Sequence, residues 1–301
     1  RPKPLGGPTG RTRSGPALLF RPVAAVEAVI DGVGNVSSVL VVGADNQLCL
    51  ATVDRLVGPR LAEVYLLDSS SLSLSRGSKR VREFGIPNVS DIAYRTGDSA
   101  SLREIIAELF AKSDIDVVLI GPMPHPPSSV MDTPSSTQMS DSLRRGLMDT
   151  SLLAELCAQA ITAQGHGVLC LLTHSPSKKA GKRTDQDREY CASMAAFNLL
   201  APAIAEQAAG SDCRVVCVAI DPAKDPHAFT TESARRSTLS PLDAASEIAP
   251  VIVSRRKRKP YEVVALPSSI RGAAGKLRPT RQHRHREYQR HEGVSAQPRA
   301  S

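Results

Sequence analysis

Short apolar runs alternate with longer stretches of helical periodicity along most of this chain. The first run, Val39 to Val42, is continuous, as a strand buried on both faces requires. Gly43 breaks it. Asp45 or Asn46 can cap a helix, and Leu48, Leu50, Val53 and Leu56 then recur at roughly helical spacing. Strand, tight turn and helix make the first half of a βαβ nucleotide-binding unit. Further strands are predicted over Ala62 to Asp68, Asn88 to Tyr94, Asp116 to Ile120, Gly167 to Thr173, Arg214 to Ile220 and Tyr261 to Leu266. Asp68 closes its strand in a turn that runs into SSSLSLS. One helix starts at Asp98 to Ser101 and carries Leu102, Ile105, Ile106 and Leu109 at helical spacing. Others are predicted over Ser151 to Ala163, Tyr190 to Ala209 and Ser240 to Ser254. The last has Pro241 at its first helical position, and Pro250 is expected to kink or shorten it. Gly121 to Asp149 is rich in Pro, Ser and Met and long for a loop, so it is read as functional or mobile.

Strands alternating with helices at this spacing predict an α/β fold. It is a Rossmann-like, doubly wound parallel sheet of about seven strands. The domain spans 23–267 with a long loop at 121–149. Residues 1–22 form a basic, Pro- and Gly-rich extension, and 268–301 form a basic tail. Neither can offset its ordering entropy by burying apolar surface. No apolar run reaches the roughly 18 residues of a membrane span. There are six cysteines. Cys170, Cys191 and Cys217 fall in predicted buried elements, as reduced thiols acting as small hydrophobes would. Cys213 and Cys217 do not form a zinc pattern.

Charge changes this picture. The net +8 is split as +5 over residues 1–22, −7 over 23–254 and +10 over 255–301. An acidic body with basic arms is the pattern of a nucleic-acid-binding protein. The residues expected to touch RNA are Arg255, Arg256, Lys257, Arg258, Lys259, Arg271, Lys276, Arg278, Arg281, Arg284, Arg286 and Arg290. His283, His285 and His291 lie among arginines, which disfavours a cation, so no metal site is expected. His174 and Ser175 are adjacent on a strand and point to opposite faces, which argues against a hydrolase pair.

The turn after the first strand decides the chemistry. A dinucleotide turn uses glycines so that its backbone can approach the phosphates. Gly43 is present, but Gln47 and Cys49 stand where a second and third glycine would fall, and Asp45 adds negative charge. Asp68, about 25 residues after Gly43, is placed to bind a ribose hydroxyl.

The order of the elements over 23–267 resembles the short-chain dehydrogenase/reductase family. The best stretch is Tyr190 to Asp221, YCASMAAFNLLAPAIAEQAAGSDCRVVCVAID. It looks like the family's Tyr-x-x-x-Lys helix and the strand that follows. The closing run, SPLDAASEIAPVIVSRRKRKPYEVVALP, looks like the family's last helix, basic turn and final strand. The resemblance implies a phosphate turn at Val42 to Cys49, a catalytic serine at Ser175 or Ser177, and a catalytic tyrosine at Tyr190. The family's lysine, which holds the nicotinamide ribose and lowers the tyrosine's pKa, is Met194 here. Its N-N-A-G is Ile120, Gly121, Pro122 and Met123, and its P-G is Ile220 and Asp221.

A methionine provides neither charge nor donor. An unperturbed tyrosine, pKa about 10, is only about 0.1% ionised at pH 7. The sequence therefore predicts a pseudoenzyme without oxidoreductase activity or cofactor, Tyr190, Ser175, Gly43 and Asp68 being vestigial. Its expected role is that of a structural subunit of a ribonucleoprotein, with a mitochondrial ribosome the natural assembly. Its partners would be ribosomal RNA and neighbouring subunits. Two alternatives stand beside this. One is an NAD(P)-dependent oxidoreductase, mitochondrial or cytoplasmic, drawing a cation from Lys178, Lys179 or Lys182. The other is a pseudoenzyme subunit of another large mitochondrial complex.

Overall fold

The computed structural model describes residues 35–121, 136–174, 188–208, 212–220, 240–254 and 261–265. The strands are β1 (Ser38–Val42), β2 (Glu63–Asp68), β3 (Asn88–Ala93), β4 (Val117–Ile120), β5 (His166–His174), β6 (Asp212–Ile220) and β7 (Tyr261–Ala265). They form one sheet of order β3-β2-β1-β4-β5-β6-β7, parallel at every pairing. The doubly wound parallel sheet expected from the sequence is therefore present. Chain order reverses between β1 and β4, which opens a crevice beyond their carboxyl ends.

The strands are apolar throughout because both faces are covered. In β1, Leu40 and Val42 join one core, while Val39 and Val41 join the other. β4 divides in the same way, Val118 and Ile120 against Val117 and Leu119. The first core is roofed by α3 (Ser99–Lys112), α5 (Thr150–Gln164) and α6 (Arg188–Gln207). The second is roofed by α1 (Gln47–Leu56), α2 (Ser71–Glu83) and α7 (Pro241–Ile252). Each such Val or Leu side chain contributes about 1.5–3 kcal/mol by leaving water. Polar residues set the helix starts. Asn46, Ser70, Asp98 and Ser240 each accept a backbone N–H two or three residues on. Gly165, at φ 88, closes α5 in the left-handed region. Among the described residues no helix is long and apolar enough to cross a membrane.

Three departures from the expectation have local causes. Helix α2 follows β2 where the sequence shows only a serine-rich run. Leu74 and Val81 anchor it in the core, and Ser70 caps it, so tertiary burial overrides weak propensity. The second half of the segment read as a loop is helical. It forms α4 (Ser136–Leu143), then a π-helical turn over Arg144–Asp149 that runs straight into α5. Polar α4 carries no strong apolar period, which hid it. Pro250 does not break α7, because it stands in the last turn, two residues before the end. Five cysteines, Cys49, Cys157, Cys170, Cys213 and Cys217, are buried free thiols, as expected.

At the opposite, amino end of the sheet the Asp116 carboxylate ties β4 to the start of β1. Its Oδ2 accepts from Ser37 N at 2.5 Å, Ser37 Oγ at 2.7 Å and Ser38 N at 3.1 Å. His166 sits beside it with its Nδ1 2.8 Å from Gln164 Nε2, which makes Nδ1 the acceptor and favours the neutral ring. Burial lowers the His166 pKa, and Asp114 and Asp116 oppose that. A histidine held down in the fold supports stability above its unfolded pKa of about 6.5, and that support is lost as pH falls through the folded value. We therefore expect the melting temperature to fall between pH 7 and pH 5.5 more steeply in the wild type than in His166→Gln. Thermal melts across that range check it, and parallel slopes would refute it.

Candidate functional site

The crevice at the carboxyl ends of β1, β2 and β4 is built from a turn, an acid and a glycine. Val42 ends β1, and Gly43 turns the chain at φ 90, a conformation only glycine adopts without strain. Its N–H donates to Leu67 O at 3.0 Å, tying the turn to β2. Ala44 N donates to Asp68 Oδ2 at 2.9 Å, so the two residues singled out by spacing, Gly43 and Asp68, do meet at one place. The other carboxylate oxygen of Asp68 accepts from Ser70 N at 2.9 Å. Burial raises the Asp68 pKa, the Ser70 and Ala44 N–H groups pull it back, and Asp45 pushes it up again. The residue is only 4% exposed.

The start of α1 is held by Asn46. Its Oδ1 accepts from Leu48 N at 3.1 Å and Cys49 N at 3.0 Å. Its amide packs against Gly121, the first residue after β4. A Cβ at Gly121 would lie 2.8 Å from the Asn46 Cγ and Nδ2 and 2.7 Å from Cys49 Sγ. Cys49 is wholly buried and burial raises its thiol pKa well above the usual range, so it fills space and is no nucleophile. On its other side the turn is braced by α2, since a Cβ at Gly77 would fall 2.1 Å from Ala44 O.

Toward the outer edge the crevice is flanked by Tyr94 and Asp149. Tyr94 follows β3, and burial raises its phenol pKa strongly, with Asp149 and Asp68 adding to the rise. Asp149 ends the π-helical turn. Both its oxygens accept Gly97 N, at 3.2 and 3.1 Å. Burial raises its pKa, against the Gly97 hydrogen bond and the charges of Arg144 and Arg145.

Tyr190 lies in the first turn of α6, and Met194 follows one turn later on the same helix. Helix α6 returns the chain from the carboxyl end of β5 to the start of β6. Its first turn therefore opens on the side of the sheet that carries Gly43, Asp68 and Gly121. Ser175, Ser177, Lys178, Lys179 and Lys182 lie outside the described residues, as do the basic positions from Arg255 to Lys259 and from Arg271 to Arg290. Among the described residues no group of three or more His, Cys, Asp or Glu side chains could hold a metal ion.

No family model matches the chain. It is 25% identical over 246 residues to a Streptomyces coelicolor protein named as an uncharacterized oxidoreductase in the mprA 5' region, covering 80% of this chain and 91% of that one. Among solved structures it superposes on a short-chain dehydrogenase from Mycobacterium smegmatis with a TM-score of 0.59 and 17% identity, over 82% of this chain and 98% of the other. Its fold is that of the short-chain dehydrogenases/reductases. An actinorhodin polyketide ketoreductase, solved with NADPH, has a TM-score of 0.62 at 16% identity, over 80% of this chain and 98% of its own.

These findings correct three expectations. The non-catalytic subunit of a mitochondrial ribosome does not stand, because the similarity over most of the domain is to an oxidoreductase. The pseudoenzyme reading falls with it. It weighed single motif positions, Met194 above all, over the whole-domain likeness. The expectation of no cofactor rested on Gln47 and Cys49 spoiling the phosphate turn. A ketoreductase of this fold is solved with NADPH. In this chain Gln47 is exposed and Cys49 turns into the core, so the second and third missing glycines leave the N–H groups of the turn in place.

Proposed function

We propose that the chain is an NAD(P)-dependent oxidoreductase of the short-chain dehydrogenase/reductase type, acting on a carbonyl or hydroxyl substrate. The observation that carries the reading is the turn itself. Ala44 N, Leu48 N and Cys49 N already hold oxygen acceptors, from Asp68 and Asn46, at 2.9–3.1 Å. Donors aimed at oxygens beside a helix start are what a pyrophosphate requires. Gly43 lets the backbone come close, and the Asp68 carboxylate keeps lone pairs for a ribose hydroxyl. The residues present therefore fit a dinucleotide, and the whole-domain similarity to an oxidoreductase supports the same reading.

When bound, the nicotinamide supplies or accepts the hydride. Tyr190 then gives the proton to the carbonyl oxygen as a C–H bond forms, or takes it in the reverse direction. Ser175 or Ser177 holds that oxygen. Since Met194 carries no charge, the cation that eases ionisation of Tyr190 comes from Lys178, Lys179 or Lys182. The test is turnover by the purified protein with NADH and NADPH over a panel of ketones and aldehydes, read at 340 nm. Oxidation of either cofactor that depends on substrate is expected. No turnover across the panel, together with no binding of either cofactor by titration calorimetry, would overturn the reading.

A further inference from the structure

We infer that the Asn46 side chain is a resident stand-in for a cofactor phosphate, and that its withdrawal from the start of α1 sets dinucleotide affinity; this rests on the function proposed above. Asn46 Oδ1 takes two of the N–H groups nearest the crevice, Leu48 N and Cys49 N. An incoming phosphate oxygen and the carboxamide oxygen compete for the same donors. The backbone around them has little freedom to resolve that contest. Gly43 N is bonded to Leu67 O, Asn46 N to Gly43 O at 3.1 Å and Gly121 N to Val42 O at 3.1 Å. The bare Cα of Gly77 is pressed against Ala44 O. The movable part is therefore the Asn46 side chain. It is 8% exposed, seated against Gly121, so it is a formed part of the turn and not a surface group that swings at no cost. Moving it surrenders two hydrogen bonds, and that loss is subtracted from cofactor binding.

A second acceptor deepens the effect. Asp68 Oδ2 holds Ala44 N, so an oxygen of the chain's own sits on all three donors. Asp68 has an independent role toward the ribose, whereas Asn46 reaches only its own helix among the contacts described above. Asn46 is for this reason the position at which affinity can be changed without touching the ribose end.

The experiment compares wild type, Asn46→Gly and Asn46→Asp as full-length proteins, titrated with NADH and NADPH by calorimetry, with a melting curve for each without ligand. Glycine is a tolerated N-cap, costing only a few tenths of a kcal/mol relative to Asn, and Asp caps as well as Asn. Both variants should therefore fold. Asn46→Gly is expected to bind the preferred cofactor about tenfold more tightly, a gain of ~1.4 kcal/mol, despite an equal or slightly lower melting temperature. Asn46→Asp should melt like the wild type and bind more weakly than it, because the anionic acceptor stays in place and repels phosphate. Unchanged or weaker binding in Asn46→Gly would overturn the inference and leave Asn46 an ordinary helix cap. If no protein of the three bound either cofactor, the proposed function itself would fail and the inference with it.

Discussion

Tyr190→Phe should lower kcat for carbonyl reduction by about 10²- to 10⁴-fold, the usual contribution of a positioned general acid, while KM changes little. The substitution keeps the ring and removes only the hydroxyl, so the helix start and any packing of the ring are preserved. Tyr190 opens α6 on the side of the sheet where the crevice lies, and Met194 follows it by one turn. A phenol without a nearby cation titrates near pH 10. If Lys178, Lys179 or Lys182 supplies that cation, changing the relevant lysine to Met moves the pH profile of kcat alkaline and leaves NADH affinity nearly unchanged. Steady-state kinetics from pH 6 to 10 read both effects. Equal kcat in Tyr190→Phe and wild type would place the proton donor elsewhere.

The sheet was legible because a strand buried on both faces must be apolar at every position. Val39 to Val42 and Val117 to Ile120 show this, and both lie in the expected parallel register. The edge strand β3 is largely exposed but still carries β-forming Val89 and Ile92, so it was also visible. Helix α2 was not, because it depends on Leu74 and Val81 reaching the core and on Gly77 fitting under Ala44. Those are contacts made by the fold, and no local pattern encodes them. At the site, Gly43 and Asp68 could be found by their separation. The role of Asn46 could not, since its seat is completed by Gly121 from a different strand. The functional error had a related origin. Substituted glycines were taken as a lost surface, when the N–H groups that make the surface belong to the backbone and persist under other side chains. The basic tails then drew the reading toward RNA.

Gly77→Ala should lower the melting temperature markedly, although alanine is the better helix former. In the interior of α2 the change favours folding by about 0.5–1 kcal/mol through backbone entropy. Against this, the added methyl would stand 2.1 Å from Ala44 O and 2.8 Å from Ala44 C, with Leu66 Cδ1 at 3.3 Å. The first two are backbone atoms, so no rotamer relieves the clash, and α2 must move away from the turn. Overpacking of a formed core costs about 1–3 kcal/mol and more where backbone has to shift. Overpacking wins, with a net loss of about 2 kcal/mol, or roughly 4–8 °C for a domain of this size. The site registers the same displacement. Ala44 N is bonded to Asp68, and both lie where a dinucleotide's ribose and phosphate would meet, so NADH affinity should fall together with stability. Ser75→Ala is the control. It lies on the exposed face of the same helix, where alanine brings its propensity and meets no backbone, and it should leave the melting temperature equal or slightly higher. Thermal melts of the two variants, with and without NADH, decide the matter. A Gly77→Ala protein as stable as Ser75→Ala would mean that α2 does not press on the turn, and the brace assigned to it would be withdrawn.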